Sequence, residues 1–334
     1  MRRSVEAADA DVAASGAALD GVRIGIAAEV ARNYFELRAI QEQLRLARID
    51  LATAEEYLEL VQARADGGVA GDLDVTRQRA LLAELAARLP QLLNQEARSI
   101  NLLSMLLGER PGALHTELNS EAGTSVTHLL PDLALGLPSE LARRRPDIRQ
   151  AEAKLHSATA AIGIAVADFY PRVTLGAKFD LESTSSRNLV EWSSRHWTIG
   201  PSLEIPIFDM GRRRSVVTLR KLQEQEAAVA YQRTVLLAWH EIDTALSAYA
   251  AERQRNAQLA KRENESRDAY ELAHVRSQNG LTSSLDELDA RRALLSAQRD
   301  HAGSNVQMSI GLVVIYKALG GGALDDGSAS QLPL

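Results

Sequence analysis

Residues 171–208 interrupt a chain whose apolar residues otherwise follow a helical period. From Val173 onward Val173, Leu175, Ala177, Phe179 and Leu181 alternate with Thr174, Gly176, Lys178, Asp180 and Glu182, a period of two. A second run places Trp197, Ile199, Leu203, Ile205 and Ile207 on one face and Thr198, Gly200, Ser202 and Glu204 on the other, and the polar, serine-rich stretch from Ser183 to His196 reads as the loop between two strands. A lone hairpin is marginal in water, so its apolar face needs a cover. Each run has about the ten residues of a tilted membrane-spanning strand, with the alternation of an outer-membrane barrel. In that reading Val173, Leu175, Phe179, Leu181, Trp197, Ile199, Leu203 and Ile205 face lipid, several copies of the chain close the barrel, and Phe169, Tyr170, Trp192 and Trp197 suit an interfacial aromatic girdle. The alternative is a hairpin resting on a helix of its own soluble domain.

The remainder reads as long helices. From Arg3 to Asp66 there is no proline, and Val30, Tyr34, Leu37, Ile40, Leu44 and Leu51 keep spacings of three, four and seven. A run of that length implies a coiled coil or helical repeat, and at about 1.5 Å per residue it spans on the order of 95 Å. Gly67, Gly68 and Gly71 break it, and Asp72 or Asp74 is expected to cap a second helix that runs to about Leu107, with Pro90 as an expected kink and Gly108 as its stop. A helix starts near Pro146 and continues to Phe169, another runs from Arg212 to Gln278, and a last one follows the break at Asn279–Ser283 and extends to Leu319.

The chain repeats itself. A shift of 212 residues lays Gly68, Leu73, Asp74, Arg79 and Leu82 on Gly280, Leu285, Asp286, Arg291 and Leu294, and Gly108 on Gly320. Such a repeat is one structural unit used twice.

Composition closes off several functions. The 334 residues carry a net charge of -6 and no dominant basic tract, which argues against nucleic acid as a partner. Cysteine is absent, which removes disulfides, thiolate zinc sites and cysteine nucleophiles. Only 4% of residues are aromatic, lean for a globular core, while the alanine-rich helices can pack closely. The seven histidines are scattered without an HExxH pattern, and no GxSxG, P-loop or GxGxxG is present. No catalytic residue, metal ligand or cofactor is expected.

Arg143-Arg144-Arg145-Pro146-Asp147-Ile148-Arg149-Gln150-Ala151-Glu152, Ala161-Ile162-Gly163 and Asp168-Phe169-Tyr170-Pro171 carry a resemblance, joined by Pro206–Arg212, Gly280–Ser283 and Leu288–Arg292. Over nearly its whole length the chain resembles the TolC-like outer-membrane factors of tripartite efflux pumps, in particular the lipoprotein branch serving resistance-nodulation-division transporters. The resemblance implies a mainly α fold, with long antiparallel helical hairpins in two repeats forming a periplasmic α-barrel. It also implies a transmembrane β-hairpin contributing to a trimeric outer-membrane β-barrel. It implies a passive exit duct for drugs or other small molecules, located in the outer membrane and periplasm of a Gram-negative bacterium. The implied partners are two further copies of the chain, a periplasmic membrane-fusion adaptor, an inner-membrane transporter and outer-membrane lipid. The adaptor would meet the tip turns at Gly67, Gly68, Val69, Gly280, Leu281, Thr282 and Ser283, and Leu285, Asp289 and Arg292 match a ring that gates the pore above the tip.

The implied organisation is a first α-barrel hairpin (1–108), an equatorial connector (109–137), a helix leading to the barrel (138–170), the β-hairpin (171–208), a second α-barrel hairpin (209–320) and a disordered tail (321–334). Relative to the family pattern, the signal peptide, lipid-bearing cysteine, first helices and first β-hairpin are missing, so the expectation is an N-terminally truncated form with a non-functional fragment as the limiting case. The rival reading is a soluble α-helical coiled-coil interaction protein or a periplasmic adaptor. An adaptor would need several more strands than the two found.

Overall fold

The computed structural model describes residues 1–69, 71–118, 144–184 and 186–321, with the side chains of Ser284 and Leu285 outside the description. In chain order the elements are α1 (Arg2–Asp66), α2 (Asp72–Leu106), α3 (His115–Leu118), α4 (Pro146–Ala167), β1 (Arg172–Leu181), β2 (Arg195–Glu204), α5 (Arg212–Gln278) and α6 (Ser284–Ala318). Most of the expected connector, 119–137, and the expected tail from 322 onward lie outside the described residues. The described part of the connector contains the single turn of α3.

Two compact units can be described separately. One comprises Met1–Asp20 and Pro146–Leu237, and the other comprises the described residues of Gly21–Arg145 and Ala238–Leu334. The first unit holds α4 and the β-hairpin. Here the first turns of α1 lie against α4: Arg149 reaches Asp20 at 3.5 Å and His156 reaches Glu6 at 3.2 Å. Gly163 marks the close approach, since a Cβ there would meet the Arg3 side chain at 2.9 Å.

The second unit holds two helical hairpins, and their boundaries coincide under the repeat. Asp66 and Gln278, Asp72 and Ser284, and Leu106 and Ala318 are each separated by 212 residues. The reason is local. At the end of α1, Gly68 adopts φ +73° and donates its N–H to the Ala65 carbonyl, while Val69 donates to Arg64. Gly280 at φ +71° does the same at the end of α5, with donations from Gly280 to Ser277 and from Leu281 to Arg276. Gly108 and Gly320 close α2 and α6 with the same pair of bonds. This closure satisfies orphan carbonyls and needs a left-handed residue, which glycine adopts without a Cβ penalty. The repeated glycines therefore set helix lengths in both halves.

Both hairpins also carry an apolar cluster at matched places. Leu37, Ile100 and Leu103 are buried together in the first, with Val30 against them. Ile242, Ile315 and Ala318 form the core of the second, with Tyr249 against them. Under the shift Val30 corresponds to Ile242, Leu37 to Tyr249 and Leu103 to Ile315.

The Arg145-Pro146 motif has a structural explanation here. Arg145 is buried, donates to the Ala318 carbonyl at 2.6 Å and to the Glu241 carboxylate at 2.6 Å. A cation on the last carbonyls of α6 also complements the helix dipole. Gly320 fits because a Cβ there would stand 3.0 Å from the Arg145 Cα, and its φ of +88° is left-handed.

Several local expectations are corrected. α2 is capped by Gly71 without a side-chain hydrogen bond; Asp72 and Asp74 lie inside its first turn, where their charge still favours the dipole. Pro90 lies inside a helix that continues on both sides of it. α4 ends at Ala167, and Phe169 and Tyr170 form turns bonded to Val166 and Ala167. β2 begins at Arg195, inside the expected loop, and ends at Glu204 opposite Arg172. Ile205 and Ile207 therefore fall beyond the paired strand. Pro171 and Pro206 lack the N–H that further pairing would use.

Candidate functional site

β1 and β2 pair antiparallel with Val173 opposite Leu203, Leu175 opposite Pro201, Ala177 opposite Ile199, Phe179 opposite Trp197 and Leu181 opposite Arg195. Directly opposed residues share a face, so all odd-numbered apolar side chains lie together. No described residue covers them: Val173, Leu175, Phe179, Trp197, Ile199 and Leu203 are each more than 60% exposed, and Leu181 and Ile205 are 43% and 54% exposed. The reading in which this face rests on a helix of the same domain is thereby overturned. The opposite face is polar, with Thr174 and Ser202 sharing a hydrogen bond of 2.6 Å and Lys178 paired with Asp180 at 2.7 Å. Roughly 55–60% of a typical protein surface is apolar atoms, but an unbroken apolar face of this size marks a surface built for another apolar medium.

The second candidate lies at the hairpin turns. Gly67 donates to the Ala63 carbonyl at 3.1 Å, and with Gly68 it completes the first turn. The residues that follow the two left-handed glycines, Val69 and Leu281, are 82% and 74% exposed. In this type of helix end that residue usually packs back on the helix; here both project an apolar side chain outward at matched positions. The second turn is tighter, because Ser283 and Asp286 form a reciprocal capping box at the start of α6. Thr282 lies between Leu281 and that cap, half-buried. The capping box was legible in Ser283-x-x-Asp286 but was missed, because the usual capping box carries Glu or Gln at its fourth position.

Of the three expected gate residues, the structure places two side chains. Asp289 and Arg292 occupy the first turns of α6, both exposed, and no ion pair joins them to each other or to another described residue. The Leu285 backbone is helical, and its side chain lies outside the described residues. The neighbouring Leu288 packs on Tyr57 and Val75, which ties α6 to α1 and α2 just above the turns. Burial pushes the Tyr57 hydroxyl up, with the charge of Asp289 adding to the same direction.

Arg292 also lines a polar cavity of about 260 Å³ with Asp50, Glu84, Arg88 and Arg299. Asp50 is 8% exposed and accepts a 2.6 Å hydrogen bond from Arg299. Burial pushes its carboxyl up, against the pull of Arg299, Arg88, Arg292 and Arg291. Sequence reading missed this pair, since Asp50 and Arg299 are 249 residues apart and Asp50 sits in an ordinary helical pattern. Among the described residues no group of three metal-ligating side chains forms, and no helix is long and apolar enough to cross a membrane.

Long helical hairpins closed by glycine turns, joined to a strand pair with an uncovered apolar face, are the features that set the class of this fold. The chain belongs to the family described as outer membrane efflux protein, whose pattern matches residues 1–109 and 137–321. It is 34% identical over 309 residues to the outer membrane protein OprJ of Pseudomonas aeruginosa, covering 92% of this chain and 64% of that protein. It is also 34% identical to the pyoverdine export outer membrane protein OpmQ of Pseudomonas putida, covering 90% of this chain and 63% of the relative. The chain thus spans somewhat less than two thirds of these curated relatives. Among solved structures, it matches the outer-membrane channel OprN at 36% identity and a TM-score of 0.82, covering 96% of this chain and 72% of the other. The open state of the Neisseria gonorrhoeae MtrE outer membrane channel matches at 31% identity with the same TM-score and the same coverage. Membership of this family displaces the soluble coiled coil and the adaptor as readings of the fold.

Proposed function

We propose that the chain forms part of the outer-membrane exit duct of a tripartite efflux pump, assembled as a homotrimer. Its strand pair contributes to a shared β-barrel in the outer membrane of a Gram-negative bacterium, and its helical hairpins contribute to a periplasmic α-barrel. The observation that carries this is the wholly exposed odd-numbered face of β1 and β2, which only lipid or an equally apolar neighbour could cover without loss. Solute passes through the lumen by diffusion, so no group of the chain is required to react with it.

The turns at Gly67, Gly68 and Val69 and at Gly280, Leu281, Thr282 and Ser283 serve as the contact with a membrane-fusion adaptor, coupled in turn to an inner-membrane transporter of the resistance-nodulation-division class. The exposed Val69 and Leu281 side chains support this, as matched apolar points on otherwise polar turns. Leu285, Asp289 and Arg292 close the pore. In support, Asp289 and Arg292 are exposed and form no ion pair among the described residues, which leaves their charges available to neighbouring copies. Asp289→Ala is expected to raise the resting conductance of the channel in planar lipid bilayers by several-fold, whereas conductance equal to wild type would remove the gate assignment. A cysteine at Leu281 is expected to crosslink to a cognate adaptor, and failure to give an adduct counts against the tip contact.

A further inference from the structure

The two ends of the strand pair differ in charge on the apolar face. At the helix-proximal end the outermost opposed row of that face is Val173 and Leu203; at the loop end it is Leu181 and Arg195. Arg195 is thus the only cation on the paired apolar face of β1 and β2. Its guanidinium stands 4.2 Å from the centroid of the Trp192 ring, in cation–π geometry. No carboxylate pairs with it among the described residues, although Glu182 and Glu191 are close in sequence. On the polar face the charges at the same end are neutralised, since Lys178 pairs with Asp180 at 2.7 Å.

The loop that presents this pair is built. Ser194 is buried and donates to the Asn188 carbonyl at 2.6 Å, and Glu182 donates its N–H to the Ser194 carbonyl at 2.8 Å. Trp192 and Trp197 nevertheless remain 78% and 73% exposed on either side of Arg195. Ten residues at about 3.4 Å rise, tilted by 35–45°, cover roughly 25 Å of bilayer normal, the height of the apolar band of an outer-membrane barrel. With the helices at one end of the hairpin, the row of Leu181 and Arg195 falls at the far boundary of that band. At this level Trp belongs to the interface, and an unpaired Arg meets headgroups rather than acyl chains.

We infer that Arg195, stacked on Trp192 and flanked by Trp197, is a docking point for a phosphate-bearing lipid headgroup of the outer leaflet. The guanidinium offers paired N–H donors that fit a phosphate group, and stacking on the indole holds its plane with little entropy left to lose. The continuity of Arg195 with the lipid-facing row selects a lipid over a soluble anion. This inference rests on the membrane reading of the strand face.

Native mass spectrometry of the detergent-solubilised chain, titrated with diphosphoryl lipid A and with the same lipid lacking its phosphates, tests it. Wild type is expected to retain the phosphorylated lipid at least tenfold better. Arg195→Gln is expected to reduce that preference to threefold or less, Arg195→Lys to keep part of it, and Arg172→Gln, on the polar face at the opposite end, to leave it unchanged. Equal retention of the two lipids by wild type, or an unchanged preference in Arg195→Gln, overturns the inference, as does an equal loss in Arg172→Gln. Because Arg195 is exposed, far-ultraviolet circular dichroism is expected to match wild type in every variant. Co-flotation with phosphatidylcholine vesicles separates the two readings. A chain that floats with neutral vesicles but lacks the phosphate preference loses only the headgroup site, whereas a chain that does not float loses the membrane reading itself.

Discussion

The two helical hairpins share their backbone boundaries to the residue from the turns onward, yet the seams between their helices differ in chemistry. In the first hairpin the places matched to the polar residues of the second are Ile40, Leu44, Leu51, Leu89, Leu92 and Leu93, of which Leu44 is buried and Leu93 is exposed. Shifted by 212 residues, those places are Glu252, Asn256, Glu263, His301, Ser304 and Asn305. They form a ladder: Ser304 bonds Glu252 at 2.5 Å, Asn256 bonds Asn305 at 2.7 Å, and His301 meets Glu263 at 2.6 Å. Nearer the turn, Gln62 and Val75 become His274 and Glu287, which meet at 2.6 Å. Even the charges cross over: Asp50 and Arg88 correspond to Arg262 and Asp300, which pair at 2.5 Å. Helix length is thus fixed by glycines at the ends, and the chemistry of the seam is free to vary between them. An apolar seam gains stability by burial. A polar seam gains little net energy, and in exchange its bonds hold only in one register.

This contrast is most easily broken by truncation. Leu44 is 2% exposed, so Leu44→Ala is expected to cost about 3 kcal/mol through lost burial and cavity formation. At the matched place Asn256→Ala removes two hydrogen bonds at a part-buried seam and is expected to cost about 1 kcal/mol. Denaturant unfolding, with hydrogen exchange resolved by hairpin, measures both. Equal costs would mean that the two seams are energetically alike and that the sequence difference is incidental.

The pair of buried Asp50 with Arg299 joins the first hairpin to the second. Arg299→Ala leaves Asp50 buried without its closest partner and is expected to cost about 2 kcal/mol. Adding Asp50→Asn is expected to recover about half of that, because a neutral amide tolerates the site better than an unpaired carboxylate. A double-mutant cycle with no coupling would show that the other arginines around the cavity replace Arg299 fully.

How much of this could be read in advance follows the range of each interaction. The helix ends, the repeat and the strand pair were legible because they rest on local patterns: glycine at a helix stop, a period of two, and spacings of three, four and seven. The family motif led to Arg145, but only the structure shows it on the end of α6, since its partners Glu241 and Ala318 lie 96 and 173 residues away. The polar ladder was present in the repeat alignment, but His240-Glu241 and the other histidines read singly look like solvated helix faces. Their pairing requires knowing which face of α5 meets α6. Ile205 was placed in the strand because its own side-chain pattern continues; strand ends are set by the partner, and Pro171 ends β1.

Converting one seam into the other sharpens the comparison. Glu263→Leu with His301→Leu recreates the Leu51 and Leu89 places of the first hairpin. Replacing a part-buried hydrogen-bonded pair by apolar groups of similar volume is often neutral or stabilising, so the double variant is expected to gain about 1 kcal/mol. Glu263→Leu alone leaves His301 without its partner and is expected to cost about 1 kcal/mol, whereas His301→Leu alone is expected to cost less, because Glu263 keeps its hydrogen bond from Arg267 at 2.5 Å. A destabilised double variant would show that the polar ladder acts as a unit and cannot be replaced rung by rung.

The smallest expected effect is a pH dependence confined to the second hairpin. Burial pulls Glu287 up, but hydrogen bonds from His274 and Ser277, with the charges of His274 and Arg291, outweigh it and hold the carboxyl below its ordinary value. A carboxyl lowered in the fold contributes stability above its unfolded pKa and loses it as pH falls through the folded value. Gln278 Nε2 lies 3.0 Å from the far ring nitrogen of His274, which holds the ring in place against Glu287. The contribution is on the order of 0.5 kcal/mol after solvent screening of a site that is only partly buried. Asp50 runs the other way: its raised carboxyl opposes folding once ionised, so acidification relieves it while weakening Glu287. Hydrogen-exchange protection factors, corrected for the intrinsic rate at each pH, should therefore fall from pH 7 to pH 4 at the start of α6 around Glu287 and the end of α5 around His274, and Glu287→Gln should flatten that change. Loss of protection of equal size around Val61 and Val75, whose matched seam carries no carboxylate, would assign the effect to the whole fold and remove the distinction between the two hairpins at their turns.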